Sequence, residues 1–161
     1  MTAQPGRALI GLISDTHGLF RPSVHKALEG VDVILHAGDV GGEDILTELR
    51  IIAPVQAVYG NTDSTGDPSL TDTLVVSHGG IDIRVIHGHQ LGSPQPAKLL
   101  AAFAERVIVY GHTHRQLIHR AGNRLVINPG AAGARRFNLE PSVARLTIEN
   151  GQAEVEIVPL D

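Results

Sequence analysis

Apolar residues come in short blocks along this chain, and the residues that close each block are small, acidic or histidine. Ala8 to Ile13 is an apolar run broken only by Gly11, the pattern of a strand buried on both faces. Pro22-Ser23 introduces a short helical segment through Leu28, Gly30 stops it, and Val31 to Leu35 reads as a second buried strand. Within Glu43 to Ile52, the spacing of Ile45, Leu46, Leu49 and Ile52 makes one apolar helix face, and Val55 to Tyr59 follows as a third strand. Strands alternating with helical segments in this way predict right-handed crossovers and a parallel sheet.

The second half changes character. Thr73 to Ser77 and Ile81 to Ile86 flank Gly79-Gly80, a pair that tolerates positive φ, and so predict an antiparallel hairpin. Ala97 to Phe103 predicts a helix entered after prolines, and Val107 to Tyr110 another buried strand. Two further hairpins are predicted, Gln116 to His119 with Arg124 to Ile127 through Gly122-Asn123, and Val143 to Ile148 with Ala153 to Val158 through Asn150-Gly151. In the last of these, Val143, Arg145 and Thr147 face away from Ala144, Leu146 and Ile148. Parallel βα units followed by meandering strands predict an α/β chain of two stacked mixed sheets with helices outside. The whole of 1–161 reads as a single domain without linkers, repeats or low-complexity stretches.

Composition narrows the chemistry. A chain of 161 residues, 42% of them hydrophobic, can bury a real core. The formal net charge is -4 and no basic stripe runs along the sequence, which disfavours nonspecific nucleic-acid binding. Aromatic residues are only 3% of the chain, too few for a single-strand stacking platform. With no cysteine, disulfides, thiolate nucleophiles and zinc-thiolate sites are all excluded, so any metal is held by nitrogen and oxygen. Met1 to Arg7 lacks the regions of a secretory signal, and no apolar run reaches the roughly 20 residues that span a bilayer. The expectation is a cytoplasmic protein without a membrane partner; self-association into a homo-oligomer is left open.

Five polar signatures stand where predicted strands end: Ser14-Asp15-Thr16-His17-Gly18, Ala37-Gly38-Asp39-Val40, Tyr59-Gly60-Asn61-Thr62-Asp63, Ile86-His87-Gly88-His89 and Tyr110-Gly111-His112-Thr113-His114. Taken singly, each has a plainer explanation. Asp15 and His17 fit a solvated loop, Asp39 a helix cap, Asn61 a turn and His87 a satisfied core histidine. Taken together, they put seven candidate ligands at one edge, where open α/β sheets bind their ligands. On an extended strand end Asp15 and His17 point to one side, as do His112 and His114, with Thr113 turned the other way. Asp15, His17, Asp39 and His114 can hold one ion, and Asp39, Asn61, His87 and His112 a second, with the two oxygens of Asp39 as the bridge. Mixed imidazole and carboxylate ligation suits manganese, iron, nickel or zinc better than magnesium or calcium.

The pattern D-x-H, G-D, G-N-x-D, H, G-H-x-H resembles the calcineurin-like metallophosphoesterases, and the short chain with His87-Gly88-His89 and Asn128-Pro129-Gly130 resembles their small bacterial and archaeal phosphodiesterase subgroup. The resemblance runs from Ile13 to Gly130. It implies a four-layer αββα sandwich holding two divalent cations, manganese first, at Asp15, His17, Asp39, Asn61, His87, His112 and His114. It also implies hydrolysis of small phosphoesters by a hydroxide bridging those cations, in line and without a covalent intermediate. Asp39, Asn61 and His87 are then the catalytic residues, and Asn61, His89 and Arg136 meet the substrate. Many family members carry histidine at the position of Thr62, where it assists the leaving group, and threonine cannot act as a general acid near neutral pH. His89 or Asp63 could substitute, although Asp63 also suits a role in orienting its loop. Arg135 stands beside Arg136 as a second candidate for substrate phosphate. Two alternatives remain: a noncatalytic scaffold, as in the retromer subunit of this fold, and a phosphomonoesterase.

Overall fold

The computed structural model describes residues 6–161; Met1 to Pro5, on which most of the expectation about a secretory signal falls, lie outside them. The first half forms β1 (Ala8–Ile13), α1 (Ser23–Ala27), β2 (Val33–His36), α2 (Glu43–Ile52) and β3 (Val55–Ala57). Next come β4 (Thr73–His78), β5 (Ile81–Ile86), a 3-10 turn at His89–Leu91, α3 (Pro96–Ala102) and β6 (Val107–Val109). The chain ends with β7 (Leu117–Ala121), β8 (Arg124–Asn128), β9 (Ser142–Glu149) and β10 (Gln152–Pro159).

Two mixed sheets result, ordered β10-β9-β1-β2-β3 and β4-β5-β6-β8-β7. The expected parallel unit is present in β1, β2 and β3. The second half is less of a meander than its hairpins predict, because β5, β6 and β8 run parallel to one another. The last hairpin returns to the first sheet, with β9 antiparallel to β1. Its alternation explains that choice: Ala144, Leu146 and Ile148 join Ile10 and Leu12 in the core between the sheets. On the opposite face, the Arg145 guanidinium donates to the Ala27 and Glu29 carbonyls at the end of α1. Both residues of the Gly79-Gly80 and Asn150-Gly151 turns take positive φ, as tight hairpins of matching twist require.

Three apolar layers hold the fold together. Ile83, Val85, Val107, Val109 and Ile127 of the second sheet face the inner residues of the first. Val24, Leu28, Ile45, Leu46 and Leu49 cover the outside of the first sheet, and Leu99 packs with Ile108 and Val126 on the outside of the second. The architecture is therefore helix, sheet, sheet, helix. Each fully buried Ile or Leu in these layers contributes about 1.5–3 kcal/mol. The registers align Ile13, His36 and Ala57 at one end of the first sheet, and Val85 with Val109 in the second. The carboxyl ends of the parallel strands thus release their loops at a common edge. Among the described residues, no helix is long and apolar enough to cross a membrane.

Candidate metal centre

The loops after β1 and β2 do not fray. Asp15, His17 and Gly18 donate their backbone N–H groups to the carbonyls of Gly38, Asp39 and Val40, at 2.9 Å in each case. This continued pairing bends the chain sharply. Asp15, His17, Asp39, His112 and His114 all take positive φ, between 46° and 70°. The extended geometry expected at Asp15-Thr16-His17 and His112-Thr113-His114 is therefore corrected: the side chains converge from left-handed turns, not from alternation along a strand. Non-glycine residues in that region cost free energy and persist where surrounding contacts fix them, which is common at functional sites.

All seven expected side chains meet. On one side, His17 Nε2 lies 3.6 Å from Asp15 Oδ1 and 3.5 Å from Asp39 Oδ2. His114 Nε2 lies 3.3 Å from Asp15 Oδ1 and 3.4 Å from His17 Nε2. On the other side, His87 Nε2 is 3.2 Å from Asp39 Oδ2 and 3.1 Å from Asn61 Oδ1, and His112 Nδ1 is 3.2 Å from the same Asn61 oxygen. His112 and His114, two residues apart, thus serve opposite sides. One oxygen of Asp39, Oδ2, faces both His17 and His87. Its other oxygen, Oδ1, is engaged by Thr62, which donates to it from its backbone N–H at 2.9 Å and its hydroxyl at 2.7 Å.

The donor set suits divalent cations. Asp15 is fully buried, its Oδ2 accepts from Ser14 Oγ and from the His112 N–H, and its Oδ1 has no hydrogen-bond partner among the described residues. A buried carboxylate oxygen left unpaired is costly unless a cation meets it. Donor atoms of Asp15, His17 and His114 lie within 4.8 Å of one another, as do those of Asp15, Asp39 and His87. Burial opposes the charge of Asp15, but His114 and His17 outweigh it and hold the carboxyl well below the usual carboxylate range. Burial likewise opposes ionisation of Asp39, and its bonds with His87 and Thr62 win. Burial also works against a charged His87, yet Asp39 and Asp15 raise its pKa. Four neutral imidazoles and one amide leave the set with the two negative charges of Asp15 and Asp39, suited to cations that keep a positive remainder.

Further residues hold the candidate ligands in place, and to the first of them, Asn128, the sequence reading assigns no such part. Asn128 donates from Nδ2 to Gly111 O at 3.2 Å and Thr113 Oγ1 at 3.0 Å, while its Oδ1 accepts from Gly130 N–H, clamping the turn that carries both late histidines. The Asn128-Pro129-Gly130 phrase was its only signal. Asp63 accepts from the N–H groups of Val40, Gly41 and Gly60, which ties the third loop to the second and matches its expected orienting role. His89 lies beside the cluster, its ring centroid 5.4 Å from that of His87 and 6.4 Å from that of His112. Arg136 is exposed on the loop after β8 and stands outside the cluster.

His36 lies beneath these loops. Its Nδ1 accepts from Gly38 N–H at 3.1 Å, and its Nε2 lies 3.0 Å from Thr16 Oγ1, which itself donates to Val40 O. The ring is therefore neutral with its proton on Nε2, and burial lowers its pKa from 6.5 to about 4. Between those values the unfolded chain binds a proton that the native state refuses, so stability is full above pH 6.5 and falls as pH drops toward 4. The loss reaches about 3 kcal/mol at the acid end. Urea midpoints of ion-free protein should fall across this window, and His36→Gln should flatten the fall; an unchanged slope would refute the assignment. The raised pKa of His87 acts on the alkaline side of 6.5, and Asp15 and Asp39 act below 4.

Comparison with known proteins agrees with this geometry. The sequence profile of the calcineurin-like phosphoesterase superfamily domain matches residues 9–151. A probable metallophosphoesterase of Methanothermobacter thermautotrophicus is 35% identical over 158 residues, covering 93% of this chain and 91% of its own. The structure of an archaeal phosphodiesterase superposes with a TM-score of 0.74 at 25% identity, covering 94% of this chain and 99% of the other. Vps29 from Entamoeba histolytica, solved with Zn2+, also gives 0.74 at 25% identity, covering 95% of this chain and 99% of its own.

Proposed function

This chain belongs to the calcineurin-like phosphoesterase superfamily, and from that premise we propose that it is a phosphodiesterase of small phosphoesters working with two divalent cations, manganese first and iron, nickel or zinc as substitutes. The observation that carries the reading is the single oxygen Asp39 Oδ2 facing imidazoles on both sides, 3.5 Å from His17 and 3.2 Å from His87. Asp15, His17, Asp39 and His114 would hold one ion, and Asp39, Asn61, His87 and His112 the other. When bound, such a pair supplies Lewis acidity toward water and the phosphoryl oxygens.

The chain's own residues do the rest. Asp39 joins the two halves, and Thr62 fixes which oxygen it presents. His87 donates from Nδ1 to Ala37 O at 2.8 Å, which leaves the Nε2 lone pair for the site. Asn61 presents a neutral oxygen toward His87 and His112 and lies where the substrate's phosphoryl group arrives. His89 Nδ1 is buried without a partner among the described residues, and the ring borders both His87 and His112, which supports a part for it in substrate contact. Neither Thr62 nor Asp63 is free to protonate a leaving group, since the hydroxyl is bound to Asp39 and the carboxylate to backbone N–H groups. Esters with acidic leaving groups are therefore favoured over alkyl esters.

The test is reconstitution of metal-stripped protein with single ions and assay against bis(p-nitrophenyl) phosphate, p-nitrophenyl phosphate and a cyclic phosphodiester. Diester hydrolysis should return with a transition ion and vanish on chelation. Hydrolysis that survives chelation, or a clear preference for the monoester, would count against the reading.

A further inference from the structure

Among the described residues nearly every arginine has a partner. Arg7, Arg50, Arg84 and Arg120 pair with carboxylates, and Arg21, Arg106, Arg124 and Arg145 donate to backbone carbonyls. Among the described residues the guanidinium groups of Arg115, Arg135 and Arg136 have no carboxylate or carbonyl partner, and all three residues are exposed. All three belong to the two segments bordering one side of the metal centre. Arg115 follows His114, and with Gln116, Asn138, Leu139 and Glu140 these residues line a cleft of about 400 Å³. Arg135 and Arg136 are exposed on the loop that carries Asn138, Leu139 and Glu140 into that lining, shortly after Gly133, whose N–H donates to Asp15 O at 3.2 Å, and the Leu139 N–H donates back to Arg136 O at 2.8 Å. That loop is held close at its far end too, where Gln116 Nε2 donates to Glu140 O at 3.4 Å. On a chain of net charge -4, three unpaired guanidiniums against one acid is a local reversal of sign.

The same loop carries Phe137, 86% exposed and at φ 52°. The other phenylalanines, Phe20 and Phe103, pack against the layers under the helices. A bulky ring left in water on left-handed backbone is accounted for if a ligand covers it.

We propose that the cleft beside His114 is a subsite for a second phosphate, and that the substrate is a nucleotide-type phosphodiester whose base stacks on Phe137 while Arg115, Arg135 and Arg136 hold the neighbouring phosphate. This rests on the phosphodiesterase reading, because the ester phosphorus must sit at the metal centre for the chain of atoms to reach the cleft. Arginine meets phosphate through paired, charge-assisted hydrogen bonds, and a base on an aromatic ring adds a sequence-tolerant contact.

Calorimetric titration of manganese-loaded protein with thymidine 3′,5′-bisphosphate and thymidine 5′-monophosphate tests it. The bisphosphate should bind at least about 10-fold tighter. In the triple variant Arg115→Ala, Arg135→Ala, Arg136→Ala the two should come within about 2-fold, and Phe137→Ala should weaken the bisphosphate about 5-fold or more. Equal affinities in the wild type, or a preference that survives in the triple variant, would overturn the subsite. The two readings fail separately: equal affinities beside intact diester hydrolysis sink the subsite alone, and a retained bisphosphate preference without hydrolysis sinks the phosphodiesterase alone.

Discussion

Replacing Asp15 and Asp39 together with alanine is expected to reduce ion-dependent diester hydrolysis by more than about 10³-fold, beyond the ~10²–10³ that follows loss of one electrostatic donor. The two carboxylates are the only charged ligands in the set, and they are the parts that the imidazoles share. Asp15 Oδ1 stands between His17 and His114, and Asp39 Oδ2 between His17 and His87. Without them the remaining histidines and Asn61 keep their places but have no negative charge with which to draw a dication out of water. The fold should survive, because both residues lie in loops beyond the strands, outside the core between the sheets. Circular dichroism and an ion-binding titration on the same sample separate the outcomes. A folded variant that neither binds the ion nor hydrolyses diester supports the reading. A folded variant that still turns over substrate would remove the metal centre from the mechanism. The scaffold alternative, which the likeness to Vps29 keeps in view, predicts that partner capture is indifferent to this double change.

The seven side chains that meet were legible in the sequence because each signature stands directly after an apolar block, and a block of that length in an α/β chain ends at a sheet edge. Legibility stopped where a property depends on two loops at once. Asp15-Thr16-His17 looks like a strand end, since nothing in the phrase itself reveals that Gly38, Asp39 and Val40 will offer it their carbonyls and force positive φ. Thr62 illustrates the same limit. Compared with a family pattern it reads only as a missing acid, whereas in three dimensions it disposes of the second oxygen of Asp39. The last hairpin was recognisable as a hairpin from Asn150-Gly151, but not its return to β1, because strand order is a long-range choice made by which apolar face completes which layer. Arg136 was legible as a cation near the site, and only the folded loop shows that the residues following it, Asn138 to Glu140, line a cleft with Arg115.

Gly60→Ala is expected to abolish ion binding while leaving most of the structure intact, an effect rivalling loss of a ligand from a residue with no side chain. A Cβ at position 60 would lie 2.1 Å from Asp39 Oδ1, 2.5 Å from Asp39 N and 2.7 Å from Asp39 Cγ. The backbone at 60 is not left-handed, so the requirement is one of space and not of conformation. The obstructed atoms are the oxygen that Thr62 holds and the Asp39 backbone nitrogen, so relief needs the carboxylate to swing away from Thr62 and the backbone at Asp39 to shift, and both take Oδ2 out from between His17 and His87. Overpacking of this kind costs about 1–3 kcal/mol, a loss that a domain with three apolar layers can absorb. Thermal unfolding of ion-free protein should therefore shift by only a few degrees. The stabilisation expected from saturating manganese in the wild type, which grows with the ratio of free ion to dissociation constant, should be absent. A variant that unfolds no earlier and still gains stability from the ion would show that Asp39 tolerates the intrusion, and the bridging part assigned to its single oxygen would then fall.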